Sequence, residues 1–269
     1  MPDPENRGGF RRFLLFLLGV ALFPAIVAAV RAVGDLVPAL FLASPPFIAP
    51  GPLAFVGGYA LWTALFFVLP PSVKMYVWGH ELTHAIWGLL FGAVPSRLRV
   101  SESGGSVNLT KSNMLITLAP YFFPFYTFLV IVVALVTSAF IRPLPWLPLW
   151  MFTVGFTWAF HALFTLETLA QRQPDVKLYG RIFSWVFIFL ANVVLVLVFL
   201  AAVTSLSFAQ LGGFLVHRVL DAYVGVGMAT VAAFKWVVSK CSRTRSTSAF
   251  CTFAPTAPAW PPAFSSAGR

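Results

Sequence analysis

Apolar residues in this chain run on in long blocks instead of alternating with polar ones. Phe13–Val30, Leu36–Val73, Ser112–Ile141 and Ile182–Val216 contain no Asp, Glu, Lys, Arg or His. A helix needs about 20 apolar residues to cross the hydrocarbon of a bilayer. Each block therefore holds a membrane span, and the longer ones have room for a broken or paired span. The pattern predicts an all-α polytopic membrane protein of six or seven spans, at about 13–33, 53–69, 72–93, 114–140, 147–170 and 180–206, with a last segment from Gly212. In that segment His217, Arg218 and Asp221 share one helical face, which suits an interfacial helix as well as a seventh span.

Two stretches depart from the helical pattern. "VPALFLASPPFIAPGP", with Pro38, Pro45, Pro46, Pro50 and Pro52, cannot be one regular helix, because each interior proline removes a hydrogen bond and clashes with the preceding turn. It is either re-entrant or a loop. In "PSRLRVSESGGSVNLTKSN", Leu98 and Val100 alternate with Arg97, Arg99 and Ser101, and Val107 and Leu109 alternate with Ser106, Asn108 and Thr110. Period-two alternation on both sides of Glu102–Gly105 predicts a short membrane-associated β-hairpin, the alternative being a polar loop. From about 241 to 269 the chain turns to Ser, Thr, Pro and Ala without periodicity and is expected to be disordered. This leaves one integral membrane domain, 1–240, with its core at 72–206.

Composition agrees with the pattern. The chain is 59% hydrophobic and only 10% charged, far below the quarter or so of charged residues in soluble domains. The net charge of +10 would suggest nucleic acid in a soluble protein. Here the basic residues lie mainly between spans and at the ends, where anionic headgroups account for them, so the partner is the lipid bilayer and not nucleic acid. "NRGGFRRFLLFLLGV" has the basic and apolar parts of a signal sequence, and Arg11-Arg12 hints at a twin-arginine signal. With further spans following, a first span anchored by arginines is the preferred reading. Arg97, Arg99 and Lys111 flank one connection and Arg172, Lys177 and Arg181 another, which the positive-inside rule makes cytoplasmic. The expected location is a bacterial inner membrane. Cys241 and Cys251 match no metal-ligand spacing.

Against this apolar background, "WGHELTHAIWG" is out of place. On a helix His80 and His84 lie one turn apart on the same face, so both imidazoles reach one metal ion. Glu81 then lies beside the first of them. Zinc held this way acidifies water, and a neighbouring carboxylate takes the proton released and later returns it to a leaving amine. Ionisable residues within a span are costly and mark functional sites. The competing explanation is a polar cluster that bonds neighbouring helices, which Ser, Thr or Asn would do at lower cost.

An HExxH in an early span, then a glycine-containing hairpin, then further spans resembles the M50 family of intramembrane zinc metalloproteases, the site-2 proteases. The similarity covers about residues 72–200. It implies a Zn²⁺ peptidase acting on membrane-protein or peptide substrates, with His80 and His84 as ligands, Glu81 as the base, and hairpin strands that engage unfolded substrate by strand addition. The family's third ligand is an Asp, usually followed by Gly, near the start of a later span. The matching residue is Asp175 in "RQPDVKLYG", where Val176 stands in place of the glycine. Asp175 also reads as a helix N-terminal carboxylate beside Arg172 or Lys177, and His161 and Glu167 in "FHALFTLETLA" are rival ligands. The resemblance implies one span between the HExxH helix and the Asp, whereas 114–140 and 147–170 make two. Asp175 then reaches the histidines only if they lie near mid-helix or if "LAPYFFPFY" breaks its span.

Other readings remain open. Asn192 either donates to an oxyanion or bonds a neighbouring helix. A non-catalytic relative would hold a metal but dispense with Glu81. A channel or transporter would line a water-filled path past His161 and Glu167.

Overall fold

The computed structural model describes residues 4–42, 49–69, 73–101, 104–171, 173–203 and 207–249. Along these the chain forms α1 (Pro4–Ala21), α2 (Phe23–Leu42), α3 (Pro50–Val68), α4 (Val73–Leu90), the strands β1 (Pro95–Ser101) and β2 (Gly104–Leu109), α5 (Met114–Leu118) running into a 3₁₀ turn at Ala119–Tyr121, then α6 (Phe125–Phe140), α7 (Leu147–Ala170), α8 (Pro174–Leu178), α9 (Arg181–Val203) and α10 (Phe208–Ala249). Within the proline-rich stretch, α2 continues through Pro38 to Leu42 and α3 starts at Pro50; Pro45 and Pro46 lie outside the described residues. Arg172, Glu102 and 250–269 also lie outside them, while 241–249 continue α10.

Among the described residues, five helical stretches are long and apolar enough to cross a membrane: Gly9–Leu36, Pro50–Val68, Leu147–Ala170, Arg181–Ala202 and Phe208–Lys240. A sixth is made by Met114–Tyr121 and Phe125–Phe140 if taken together, and these two pieces meet at a bend of 85°. The chain is thus an all-α, multi-span membrane protein carrying one two-stranded sheet. The expected span at 72–93 is not among the five. Lys74, His80, Glu81 and His84 fall inside α4 and dilute its apolar character; α4 touches β1, β2, α5, the 3₁₀ turn and α6 and leaves Trp78, Leu89 and Leu90 exposed. It ends at Gly92, whose φ of +70° lets the Ala93 N–H return to the Gly88 carbonyl at 2.8 Å.

The chain divides into two units, Met1–Ala222 and Tyr223–Arg269. In the second, the described part of α10 exposes Val224, Phe234 and Trp236. In the first, α3 and α7 pack at their backbones. Gly58 lies against the backbone of Phe152 and Phe156, and Gly155 against that of Phe55, a reciprocal small-residue contact of the kind that brings membrane helices together. Phe55 stacks on Phe199, and Trp158 meets both rings edge-on around this crossing. Nearer the chain ends, Ala29, Leu36, Val193, Leu197 and Leu211 form a buried cluster joining α2, α9 and the start of α10. Arg218 pairs with Asp35 at 2.7 Å beside it; both are well exposed, so the pair adds little.

The hairpin forms where the alternation predicts it. β1 and β2 are antiparallel, with Arg99 opposite Ser106 and Val100 opposite Gly105. The register shifts between Ser96 and Arg99, where Arg97 takes a left-handed φ of 50°, as at a bulge.

The break between α5 and α6 carries the largest buried cluster on the α4 side. Leu118, Ala119, Tyr121 and Phe122 pack with Val176 of α8 and Ile188 of α9. Asn113 caps the start of α5 by accepting the Ile116 N–H at 2.9 Å. The chain then turns at Pro120 and again before Phe125, so α5 ends at a bend of 85° among buried residues.

Candidate metal centre

Three side chains from two distant parts of the chain meet at the middle of α4. His80 Nε2 and His84 Nε2 lie 3.6 and 3.5 Å from Asp175 Oδ2, and the three potential ligand atoms all fall within 4.8 Å of one another. Tetrahedral zinc with bonds of about 2.0–2.2 Å sets its ligand atoms roughly 3.3–3.6 Å apart. Two of the three separations match that spacing and the third lies within 4.8 Å, so two imidazole nitrogens and a carboxylate oxygen form a group that could hold a metal ion.

Each ligand is held by a partner of its own. His84 Nδ1 donates to the Ile116 carbonyl at 2.9 Å; a carbonyl only accepts, so Nδ1 carries a proton and Nε2 is the nitrogen turned to Asp175. His80 Nδ1 lies 3.3 Å from the Tyr76 hydroxyl, one turn earlier on α4. Such contacts fix the tautomer and ring orientation of metal-binding histidines. Asp175 accepts from the Tyr121 hydroxyl at 3.2 Å, and Tyr121 is fully buried. Burial works against the Asp175 charge, but the hydrogen bonds and positive charge of His80 and His84 outweigh it and hold the carboxyl below the usual carboxylate range.

Val176 explains how Asp175 comes to be there. Its side chain is buried with Leu118, Tyr121 and Ile188, and its carbonyl accepts from Ser184 Oγ at 3.0 Å. The valine that departs from the Asp-Gly pattern thus anchors α8 while the neighbouring carboxylate faces the histidines. Ile116 and Tyr121, the two residues that steady His84 and Asp175, both lie on the α5 side of the bend before α6.

Glu81 is 6% exposed and lies beside the hairpin. A Cβ on Gly105 would stand 2.7 Å from Glu81 Cγ and 2.6 Å from Val77 Cγ1, so β2 approaches α4 this closely only with glycine at 105. Val107 of β2 lines the same cleft as Glu81. His80, Glu81, His84 and Asp175 all open onto one cleft of about 710 Å³, walled by β2 on one side and by Phe164, Glu167 and Thr168 of α7 on the other.

The rival ligands are elsewhere. Glu167 lines the cleft but is not grouped with the histidines among the described residues. His161 is buried in α7 and lines a separate small cavity that also touches His80. Asn192 donates to the carbonyls of Tyr121 and Ile188 at 3.0 and 2.9 Å, so it ties α9 to the broken span. Tyr76, Tyr121 and Gly105 were not singled out from sequence. Only Gly105 left a signal, as half of a Gly-Gly pair within an alternating strand. Compared with known proteins, the chain matches no family model, no curated protein and no solved structure.

Proposed function

We propose that this chain is a membrane-embedded zinc metallopeptidase of the site-2-protease kind, hydrolysing peptide bonds of membrane-associated substrates. The observation that carries the reading is the triangle of His80, His84 and Asp175, spaced as zinc ligands, with Glu81 on the same cleft. A bound zinc supplies Lewis acidity, which lowers the pKa of water and polarises a carbonyl. Glu81 takes the proton of the attacking water and returns it to the leaving amine nitrogen. Its burial against Gly105 and Val77 limits its freedom and keeps it aimed into the cleft. An extended substrate segment lies along β2, where main-chain hydrogen bonds position it without regard to sequence. Arg97, Arg99, Lys111, Lys177 and Arg181 flank the cleft-bearing connections, which under the positive-inside rule supports a centre toward the cytoplasmic face of a bacterial inner membrane.

The test is zinc content per chain in detergent-purified protein together with hydrolysis of an unfolded membrane peptide. Wild type is expected to hold about one zinc. His80→Ala and Asp175→Ala lose it, whereas Glu167→Ala keeps it. Glu81→Gln keeps its zinc and loses about 10³-fold in hydrolysis. Wild type that takes up no zinc when loaded overturns the metal centre. Glu81→Gln with wild-type activity overturns the peptidase and leaves a metal-holding protein without this chemistry.

A further inference from the structure

His161 is the buried ionisable side chain that the proposed chemistry does not use. It is 7% exposed, and its Nε2 has no hydrogen-bond partner. It lines a small cavity of about 20 Å³ together with Tyr76, His80, Thr83 and aromatic rings that include Phe123 and Phe160. A water needs roughly 10–15 Å³ of such space and two to four polar partners, so this cavity has room for one. Thr83 Oγ1 donates its hydrogen to the Gly79 carbonyl at 2.7 Å, which leaves its lone pairs able to accept. The Tyr76 hydroxyl is 3.3 Å from His80 Nδ1, and Tyr76 lines both this cavity and the cleft. His161, Thr83 and Tyr76 thus line a one-water space that also touches His80.

We infer that this cavity is a site for a single water molecule held by His161, and that the water, through Tyr76, positions His80 for the metal. The inference rests on the metal-centre reading above. His161 is then a positioning residue: it touches neither substrate nor metal. A dry cavity would leave a buried imidazole nitrogen without a partner, the state that interiors avoid. A water bonded to His161 and to the Tyr76 hydroxyl holds that hydroxyl in place to accept from His80 Nδ1, and outer-shell partners of this type tune metal affinity.

The experiment compares wild type, His161→Leu and Tyr76→Phe in two measurements: the Tm of the zinc-free protein, and zinc affinity by competition with a chelator. Removing such a partner weakens metal binding by about 10-fold or more. His161→Leu is therefore expected to bind zinc about 10-fold more weakly and to melt at a lower temperature without zinc. Tyr76→Phe keeps the ring that stacks on Phe164 and removes only the hydroxyl, and it is expected to weaken zinc by a similar factor. A leucine variant that melts higher and binds zinc as wild type does overturns the inference, since the cavity would then be dry and His161 a burdened core residue. A lower Tm with unchanged zinc affinity overturns the positioning role. If His161→Leu does not fold, Tyr76→Phe decides, and wild-type affinity there overturns the link to His80. Wild type that binds no zinc defeats the metal reading itself, a result distinct from any of these; the positioning role then fails with it.

Discussion

Two glycine-mediated approaches in this protein look alike and serve different ends. Where α3 crosses α7, Gly58 and Gly155 bring backbone against backbone in a wholly apolar, aromatic-lined contact. Where β2 meets α4, Gly105 brings a strand against the side chain of Glu81. In lipid, helices gain no hydrophobic energy by leaving one another's company for acyl chains, so the first contact works by close van der Waals packing. The second aims an acid instead. Its tolerance to change is accordingly set by the direction of Glu81 and much less by total stability.

Three substitutions separate these roles. The largest effect is expected for Gly155→Val, whose side chain would collide with the Phe55 backbone, an immovable neighbour. About 3 kcal/mol of stability should be lost, read as a fall in Tm in detergent, while the fraction that stays folded keeps its zinc stoichiometry. Wild-type stability in this variant would show that α3 and α7 do not depend on backbone contact. Gly105→Ala comes next. The added methyl displaces Glu81, and a misplacement of about 1 Å costs on the order of 100-fold in rate. Hydrolysis should fall by that factor with zinc content unchanged and a stability loss of about 1 kcal/mol. A large loss of stability with full activity per folded molecule would erase the contrast. The smallest effect is expected for Asn192→Ala, which removes donors to the Tyr121 and Ile188 carbonyls and should cost about 1 kcal/mol with kcat intact. A fall in kcat near 100-fold would instead reveal the oxyanion role.

The local parts of the candidate site were legible in the chain. His80 and His84 needed only the four-residue spacing of a helix, and the hairpin needed only period-two alternation on two sides of a glycine pair. Asp175 was reached by resemblance, against the span count. The count did not decide the matter, because whether "LAPYFFPFY" kinks a span or ends it is not a property of its prolines alone. Tyr121 and Phe122 find a buried place with Val176 and Ile188, and that packing sits at the 85° bend. His161 was read as a rival ligand because a lone histidine in an apolar helix carries no sign of which neighbour it faces.

By itself the sequence determined that this is a membrane protein, that α4 presents two imidazoles on one face beside an acid, and that a hairpin follows. These are consequences of composition and of backbone periodicity, which act within a few residues. The tertiary structure alone decided the 85° bend, the choice of Asp175 over Glu167 and His161 as the neighbour of the histidines, and the approach of Gly105 to Glu81. Each of these depends on contacts between residues far apart in the chain, where the winning arrangement is the one that buries the apolar groups of several elements at once.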